Sequence, residues 1–361
     1  MTKLIYAGPN CPGSTCLARF RAFQEIEAEV FPLNTAPYFY ERISRWRRAL
    51  EFRVFFGPQG VQLNRELIHL CDEKSPDVVW VDKGFWTWPS TLKTIRKKGI
   101  LLVHHCTDAM TPHTWNLWWD YSMLRKTEML YDLRFTSNLP DHARLAGNLR
   151  PRSELTYLGY DHERFDDSPL SPDLQEKWAS EILFVGHYEE RTERGISALI
   201  EAGLPVTVYG DGWEKARSRE LLNSRMKIRR LNDEEYRYAL KSAKIALCFV
   251  SEINSNQTAG RSFEIPACGT FLLAMRTGQH AECYREGEEA EFFGNHRELV
   301  EKARFYLEHA DRREEISRRG HERCLRSGYS WADHTKRDWE KVEEMLAEHR
   351  SRGENIKRAS V

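Results

Sequence analysis

Arg261 and Glu264 stand three residues apart in Gly260-Arg261-Ser262-Phe263-Glu264-Ile265-Pro266-Ala267-Cys268-Gly269-Thr270-Phe271-Leu272-Leu273. A guanidinium pairs with phosphate oxygens and a carboxylate accepts from hydroxyls. The apolar run after the small-residue turn reads as a buried strand. That order places both groups at the mouth of a crevice, where a sugar nucleotide needs them. The plainer reading is a helix packed on a strand, with Arg261 and Glu264 paired on its surface.

Other segments hold groups of the same chemistry. Gly186-His187-Tyr188-Glu189-Glu190-Arg191 ends a strand at a glycine and opens into a loop before a helix, a setting that favours phosphate oxygens. Arg191, and less directly Arg194, would add charge-assisted hydrogen bonds; alternatively the loop is a solvated one whose Glu and Arg residues pair with each other. Asn254-Ser255-Asn256-Gln257-Thr258-Ala259 supplies short polar side chains ahead of Gly260, suited to sugar hydroxyls and pyrophosphate. Gly210-Asp211-Gly212-Trp213 follows a strand and is read as a turn. Near the N-terminus, Gly8 and Gly13 permit close backbone approach to a ligand, Ser14 and Thr15 can cap a helix, and Arg19 is a candidate phosphate contact. The Gly-x-x-x-x-Gly there lacks the Lys-Ser/Thr of a P-loop, which argues against NTP hydrolysis.

His104-His105-Cys106-Thr107-Asp108 ends another strand. His105 or Asp108 is a candidate general base, which a transferase would use on its acceptor's hydroxyl. Neighbouring residues on a strand face opposite ways, so these side chains are not expected to share a metal ion. His113, Trp115, Trp118, Trp119 and Tyr121 follow, as core or as a sugar-stacking platform. Arg42 to Arg53 forms a basic amphipathic segment with Ile43, Trp46 and Leu50 on one stripe. It is read as a surface helix docking that stripe inward, or as a contact with an anionic membrane or acceptor.

Strand-like runs alternate with helical ones nearly throughout, the pattern of parallel sheets wound with helices. Expected strands are Lys3–Ala7, Glu29–Leu33, Pro76–Asp82, Gly99–His105 and Tyr131–Thr136, then Glu181–Gly186, Pro205–Gly210, Ile245–Val250 and Thr270–Met275. A helix is expected over Thr15–Glu29, another carries Leu63, Leu67, Leu70 and Cys71, and a third spans Arg194–Ala202. Residues 153–165 read as a linker. The expected division is a Rossmann-like domain over 1–160, a second over 161–330, and a closing helix and tail over 331–361.

A length of 361 residues favours two domains, and 41% apolar content with 11 Trp and 17 Phe can fill two cores. No run is long enough to span a membrane, and the N-terminus enters a strand without a signal-peptide core. The eight scattered cysteines suit a reducing compartment, so a cytoplasmic location is expected, with a peripheral membrane contact through 42–53 as an extension of it. The net charge is zero, but residues 1–160 hold 21 Lys and Arg against 16 Asp and Glu. No nucleic-acid partner is expected.

The segment Arg261–Gly269 resembles the donor-site signature of GT-B glycosyltransferases of the group 1 type, in the spore-maturation-protein-like branch, where Arg-x-Phe-Glu-x-Pro-Ala-x-Gly precedes a strand. Gly186 with Arg191, the Gly210–Trp213 turn and the charged helices over 298–323 are similar to the same branch. The resemblance implies two facing Rossmann-like domains with a C-terminal helix crossing back to the first, for which Trp331–His349 is the candidate. It also implies transfer of a sugar from a nucleotide-sugar donor to a hydroxyl-bearing acceptor, with no metal or other cofactor. Donor binding falls to Gly186, Arg191, Asn256, Arg261 and Glu264, with Gly8 and Gly13 approaching from the first domain. Glu264 would hold the ribose, arginines would neutralise the diphosphate, and an aspartate falls near Asp108. Domain closure would exclude water. The chain departs from the retaining pattern Glu-x7-Glu, because position 256 is an amide. A nucleotide-sugar epimerase on the same fold and an inactive nucleotide-sugar-binding protein are the competing readings.

Overall fold

A computed structural model describes residues 1–41, 51, 55–110, 121–219, 221, 228–252 and 256–359. The chain divides into two units, one of 1–157 and 331–361 with 253–255, the other of 158–252 and 256–330. Most of the basic segment 42–53, and the cluster of His113, Trp115, Trp118 and Trp119, lie outside the described residues.

The first unit is built on a six-stranded parallel sheet. Its elements are β1 (Thr2–Gly8), α1 (Thr15–Gln24), β2 (Ala28–Asn34), α2 (Pro58–Lys74), β3 (Val78–Asp82), α3 (Pro89–Arg96), β4 (Leu101–His105), α4 (Ser122–Thr127), β5 (Leu133–Thr136), α5 (Leu139–Leu145) and β6 (Arg152–Leu155). The strand order is β2-β1-β3-β4-β5-β6. Alternate residues feed two cores, as strand geometry requires. Ile5, Val79, Val81 and Leu102 pack beneath Leu63, Leu67 and Ile95 of α2 and α3. Leu4, Val78, Trp80, Val103 and Phe135 meet Phe23 of α1 and Trp339, Val342 and Leu346 on the opposite face. Those last three belong to the terminal helix Trp331–Ala359, which packs on α1.

Two boundaries differ from expectation. The helix starting at Thr15 stops at Gln24 rather than Glu29, because Ala28–Asn34 is drawn into register with Thr2–Gly8. The extended run in the expected linker becomes β6, paired with β5 from Leu133↔Arg152 to Thr136↔Leu155. Ser14 caps α1 as its side chain allows, accepting from the Leu17 N–H at 3.1 Å.

Asp338 of the terminal helix is buried and accepts from the Thr156 hydroxyl at 3.2 Å, just past β6. Burial pushes its carboxyl up to about 7, against the pull of Arg19. An acid with a higher pKa folded than unfolded takes up a proton on folding, so its contribution is full below pH ~4 and is lost as pH rises through about 7. Asp338→Asn is expected to flatten that loss, worth up to about 4 kcal/mol. Urea midpoints at about pH 5 and pH 8 check this; identical pH slopes in variant and wild type would refute it.

The second unit is a five-stranded parallel sheet. It runs through α6 (Pro172–Trp178), β7 (Ser180–Val185), α7 (Glu190–Glu201), β8 (Val206–Tyr209), α8 (Asp233–Ser242), β9 (Ala243–Cys248), α9 (Arg261–Ala267), β10 (Phe271–Met275), α10 (Gly278–Cys283), β11 (Glu291–Phe293), α11 (His296–Glu308) and α12 (Ala310–Arg326). The terminal helix is then α13. The strand order is β11-β10-β9-β7-β8. Ile182, Phe184, Ile245, Leu247, Phe271 and Leu273 form one buried face under α7 and α11. In each sheet the chain runs outward in both directions from a central pair, β1 beside β3 and β7 beside β9. The crevice beyond the carboxyl ends of such a pair is where open α/β sheets take ligands.

Candidate active site

In the second unit, Arg261 sits at the point where β7 and β9 diverge. Nη1 donates to the Val185 carbonyl at 2.8 Å and Nη2 to the Phe249 carbonyl at 3.3 Å. One guanidinium thus bridges the exits of both central strands. Its plane lies over the Phe184 ring, 5.1 Å from the centroid. Gly186 makes this possible, since a Cβ there would fall 2.8 Å from Nη1. Gly210 is required by the same crowding: a Cβ there would lie 1.8 Å from the Gly186 carbonyl oxygen, and its φ is 144°. Trp213 closes the turn, donating from Nε1 to the Gly186 carbonyl at 3.0 Å.

Glu264 lies one turn further along α9, half-buried. The Tyr236 hydroxyl donates to its Oε2 at 2.5 Å. Burial raises its carboxyl above the usual range, opposed by that hydrogen bond and by the charges of Arg164 and Arg261. Arg261 and Glu264 are therefore not a surface ion pair, because each side chain is committed to a different element.

The loop before α9 is anchored by a relay that spacing does not reveal. Met275 O can only accept, so His280 Nδ1 carries a proton toward it at 2.7 Å. Nε2 then accepts from the Ser262 hydroxyl at 2.8 Å, and Ser262 Oγ accepts from the Ala259 N–H at 2.9 Å. Burial holds His280 at about 4, so the ring is neutral, as this requires. Thr277 adds a hydrogen bond to the Gln257 carbonyl at 2.7 Å. Asn256 heads this loop, half-buried.

Arg191 stands at the start of α7, partly exposed, in an ion pair with Glu252. Arg194 faces solvent with Glu190 at 3.7 Å. Glu193 of the same helix is bonded by the Tyr188 hydroxyl and by the Arg217 and Ser218 N–H groups. Burial opposes its charge, but hydrogen bonds from Tyr188 and from the Ser218 and Arg217 amides hold it below the ordinary range. A pocket of about 750 Å³ lies on that outer side of α7, lined by Tyr188, Glu193, Arg194, Arg217 and His296. It holds neither Arg261 nor Glu264.

In the first unit, Gly8 ends β1 and a Cβ there would be 3.0 Å from Cβ of Asp82, while Gly13 turns the chain into α1 with φ 73°. Arg19 is not available to a phosphate. It is fully buried, bound to Asp82 through Nε at 2.7 Å and Nη2 at 3.2 Å, with Trp331 stacked 4.4 Å from its guanidinium. His105 is likewise a poor base. It is fully buried among the rings of Trp80, Phe135 and Trp331, and burial lowers its imidazole to about 4. Packing of α13 over the strand end seals it from any acceptor hydroxyl. Asp108 retains partial exposure, paired with the Lys83 ammonium and hydrogen-bonded by Tyr121. Lys83 adopts a left-handed conformation with φ 67°, and its carbonyl accepts from His104 Nε2 at 3.1 Å.

Sequence reasoning missed Tyr236, Arg164 and the Asp82–Arg19 pair. A signal for the first existed, since Asn232-x-x-Glu235 is a capping box that marks the start of α8 just before Tyr236.

Two parallel-sheet, Rossmann-like units in one chain, with α13 returning to α1, define the GT-B fold. Solved structures share it. HepE of Anabaena, in complex with UDP-glucose, is 14% identical with TM-score 0.65, covering 95% of this chain and 100% of that one. Sucrose-phosphate synthase of Thermosynechococcus elongatus is 11% identical with TM-score 0.67, covering 96% and 100%. UDP-GlcNAc 2-epimerase of Neisseria meningitidis, bound to UDP-GlcNAc, is 12% identical with TM-score 0.50, covering 95% and 100%. Residues 191–337 match the glycosyl transferase-like family model, so the stretch holding Arg191, Arg261 and Glu264 is a glycosyltransferase family domain. No curated protein matches the chain. Among the described residues, no helix is long and apolar enough to cross a membrane.

Proposed function

We propose that this protein transfers a sugar from a nucleotide-diphosphate donor to a hydroxyl-bearing acceptor. The observation that carries the reading is Arg261, whose guanidinium joins the β7 and β9 exits while Glu264 stands one helical turn away. In this role Arg261 and Arg191 neutralise the departing diphosphate, so the leaving group needs no metal. Binding of phosphate competes with Glu252 for Arg191. Glu264 accepts from the ribose hydroxyls, and Gly186 lets the backbone approach the phosphates. Asn256 contributes an amide to the sugar or pyrophosphate. For the acceptor's proton we assign Asp108, which Lys83 and Tyr121 hold in place.

A thermal-shift panel of uridine, guanosine and thymidine diphosphates tests the donor site. One of them is expected to stabilise the protein by several degrees at millimolar concentration, and Glu264→Ala to remove most of that shift. A panel in which none stabilises the wild type would sink the reading. Likeness to a UDP-GlcNAc 2-epimerase favours one rival, conversion of the donor without an acceptor. Incubation with the nucleotide sugar alone separates the two, since only an epimerase yields a rearranged sugar in quantity. A protein that binds the donor yet neither transfers nor hydrolyses it above background would be a binding protein.

A further inference from the structure

We propose that Tyr236 is the positioning residue of the donor site, its hydroxyl holding one oxygen of Glu264 so that the other is presented to an intact ribose diol. The inference rests on the donor reading above and narrows the ligand to a ribonucleoside diphosphate over its deoxy counterparts. A carboxylate on a single helix turn can rotate, and a rotating acceptor holds two adjacent hydroxyls poorly. Tyr236 Oη lies 2.5 Å from Oε2 and fixes that rotation. A Cβ at Gly260 would stand 3.2 Å from Oε1 and 3.4 Å from Oε2, so the absent side chain leaves the carboxylate approachable from that side, with Oε1 the oxygen that Tyr236 does not hold.

The phenol is itself held by two neighbours. Its ring meets the Phe165 edge at 5.6 Å and 80°. The Arg164 guanidinium stacks 4.7 Å over Phe165 and 5.5 Å over Tyr236. Asp233, at the first turn of α8, fixes Arg164 through its carboxylate at 3.0 Å. The capping box of Asn232 and Glu235 sets where α8 begins, and with it the direction of Tyr236. A phenol needed only as packing requires none of the hydroxyl geometry, which Phe would lack while keeping every ring contact.

Calorimetric titration of wild type, Tyr236→Phe and Glu264→Ala with uridine and guanosine diphosphates and their 2′- and 3′-deoxy forms tests this. Wild type is expected to prefer the ribonucleotide. Tyr236→Phe should weaken the ribonucleotide about tenfold and the deoxy forms less than about twofold, so the preference shrinks. Retained deoxynucleotide affinity also shows that the variant is folded. Equal weakening of both ligands would make Tyr236 a packing residue and overturn the proposal. So would an unchanged preference in Tyr236→Phe beside a lost preference in Glu264→Ala, an outcome that leaves the donor reading standing. If Glu264→Ala keeps the preference, or wild type shows none, Glu264 does not hold the ribose and the inference falls with that assignment.

Discussion

Arg261→Ala is expected to lower donor turnover by about two to three orders of magnitude, the scale of losing a charge-assisted contact made to the leaving group. The physical ground is the double role of one guanidinium. Its Nη atoms hold the Val185 and Phe249 carbonyls together, and its charge faces the diverging strand ends. Truncation therefore also leaves two part-buried acceptors without their donors, at about 1–3 kcal/mol. Arg261→Lys separates these effects. It restores a positive charge but not a planar fork, so it is expected to recover part of the turnover and little of the stability. Steady-state kinetics on the nucleotide sugar, beside urea denaturation of each variant, measures both. An alanine variant that turns over donor at the wild-type rate would remove Arg261 from the mechanism.

Asp82→Ala is expected to destabilise the first unit by about 3–5 kcal/mol, because it strands a fully buried guanidinium. Asp82 accepts from Arg19 twice and from Tyr6 at 2.5 Å, at the carboxyl end of β3. Burial is the largest single influence and opposes its ionisation, yet Arg19 and His105 together outweigh it and keep the carboxyl well below its usual range. Arg19 also carries the Trp331 ring, the first residue of α13. Loss of the pair should therefore loosen the junction of α13 with α1, visible as faster amide exchange along α13. Arg19→Met with Asp82→Leu removes both charges and is expected to recover most of the loss, as paired removal of buried ions does. A single Asp82→Ala variant within about 1 kcal/mol of wild type would show that solvent reaches Arg19.

The local pattern of residues determined much of this protein. Alternation of β-rich and helical runs defines two wound sheets, since strand and helix periods depend only on near neighbours. The placement of Arg261 and Glu264 on one short helix ahead of β10 was legible for the same reason, because all of it lies within one short stretch. Ser14 at the N-cap belongs there too. Tertiary structure alone decided what depends on distant partners. Arg19 reads as an exposed phosphate ligand until Asp82, far along the chain, neutralises it. His105 reads as a base until α13 covers the strand end that open sheets normally leave to ligands. The run at Arg152 is ambiguous until β5 offers an edge to pair with. Tyr236 gains meaning only when α8 sets its hydroxyl against Glu264. Spacing along a chain records which groups can share a face, whereas burial and pairing record which groups are left to act.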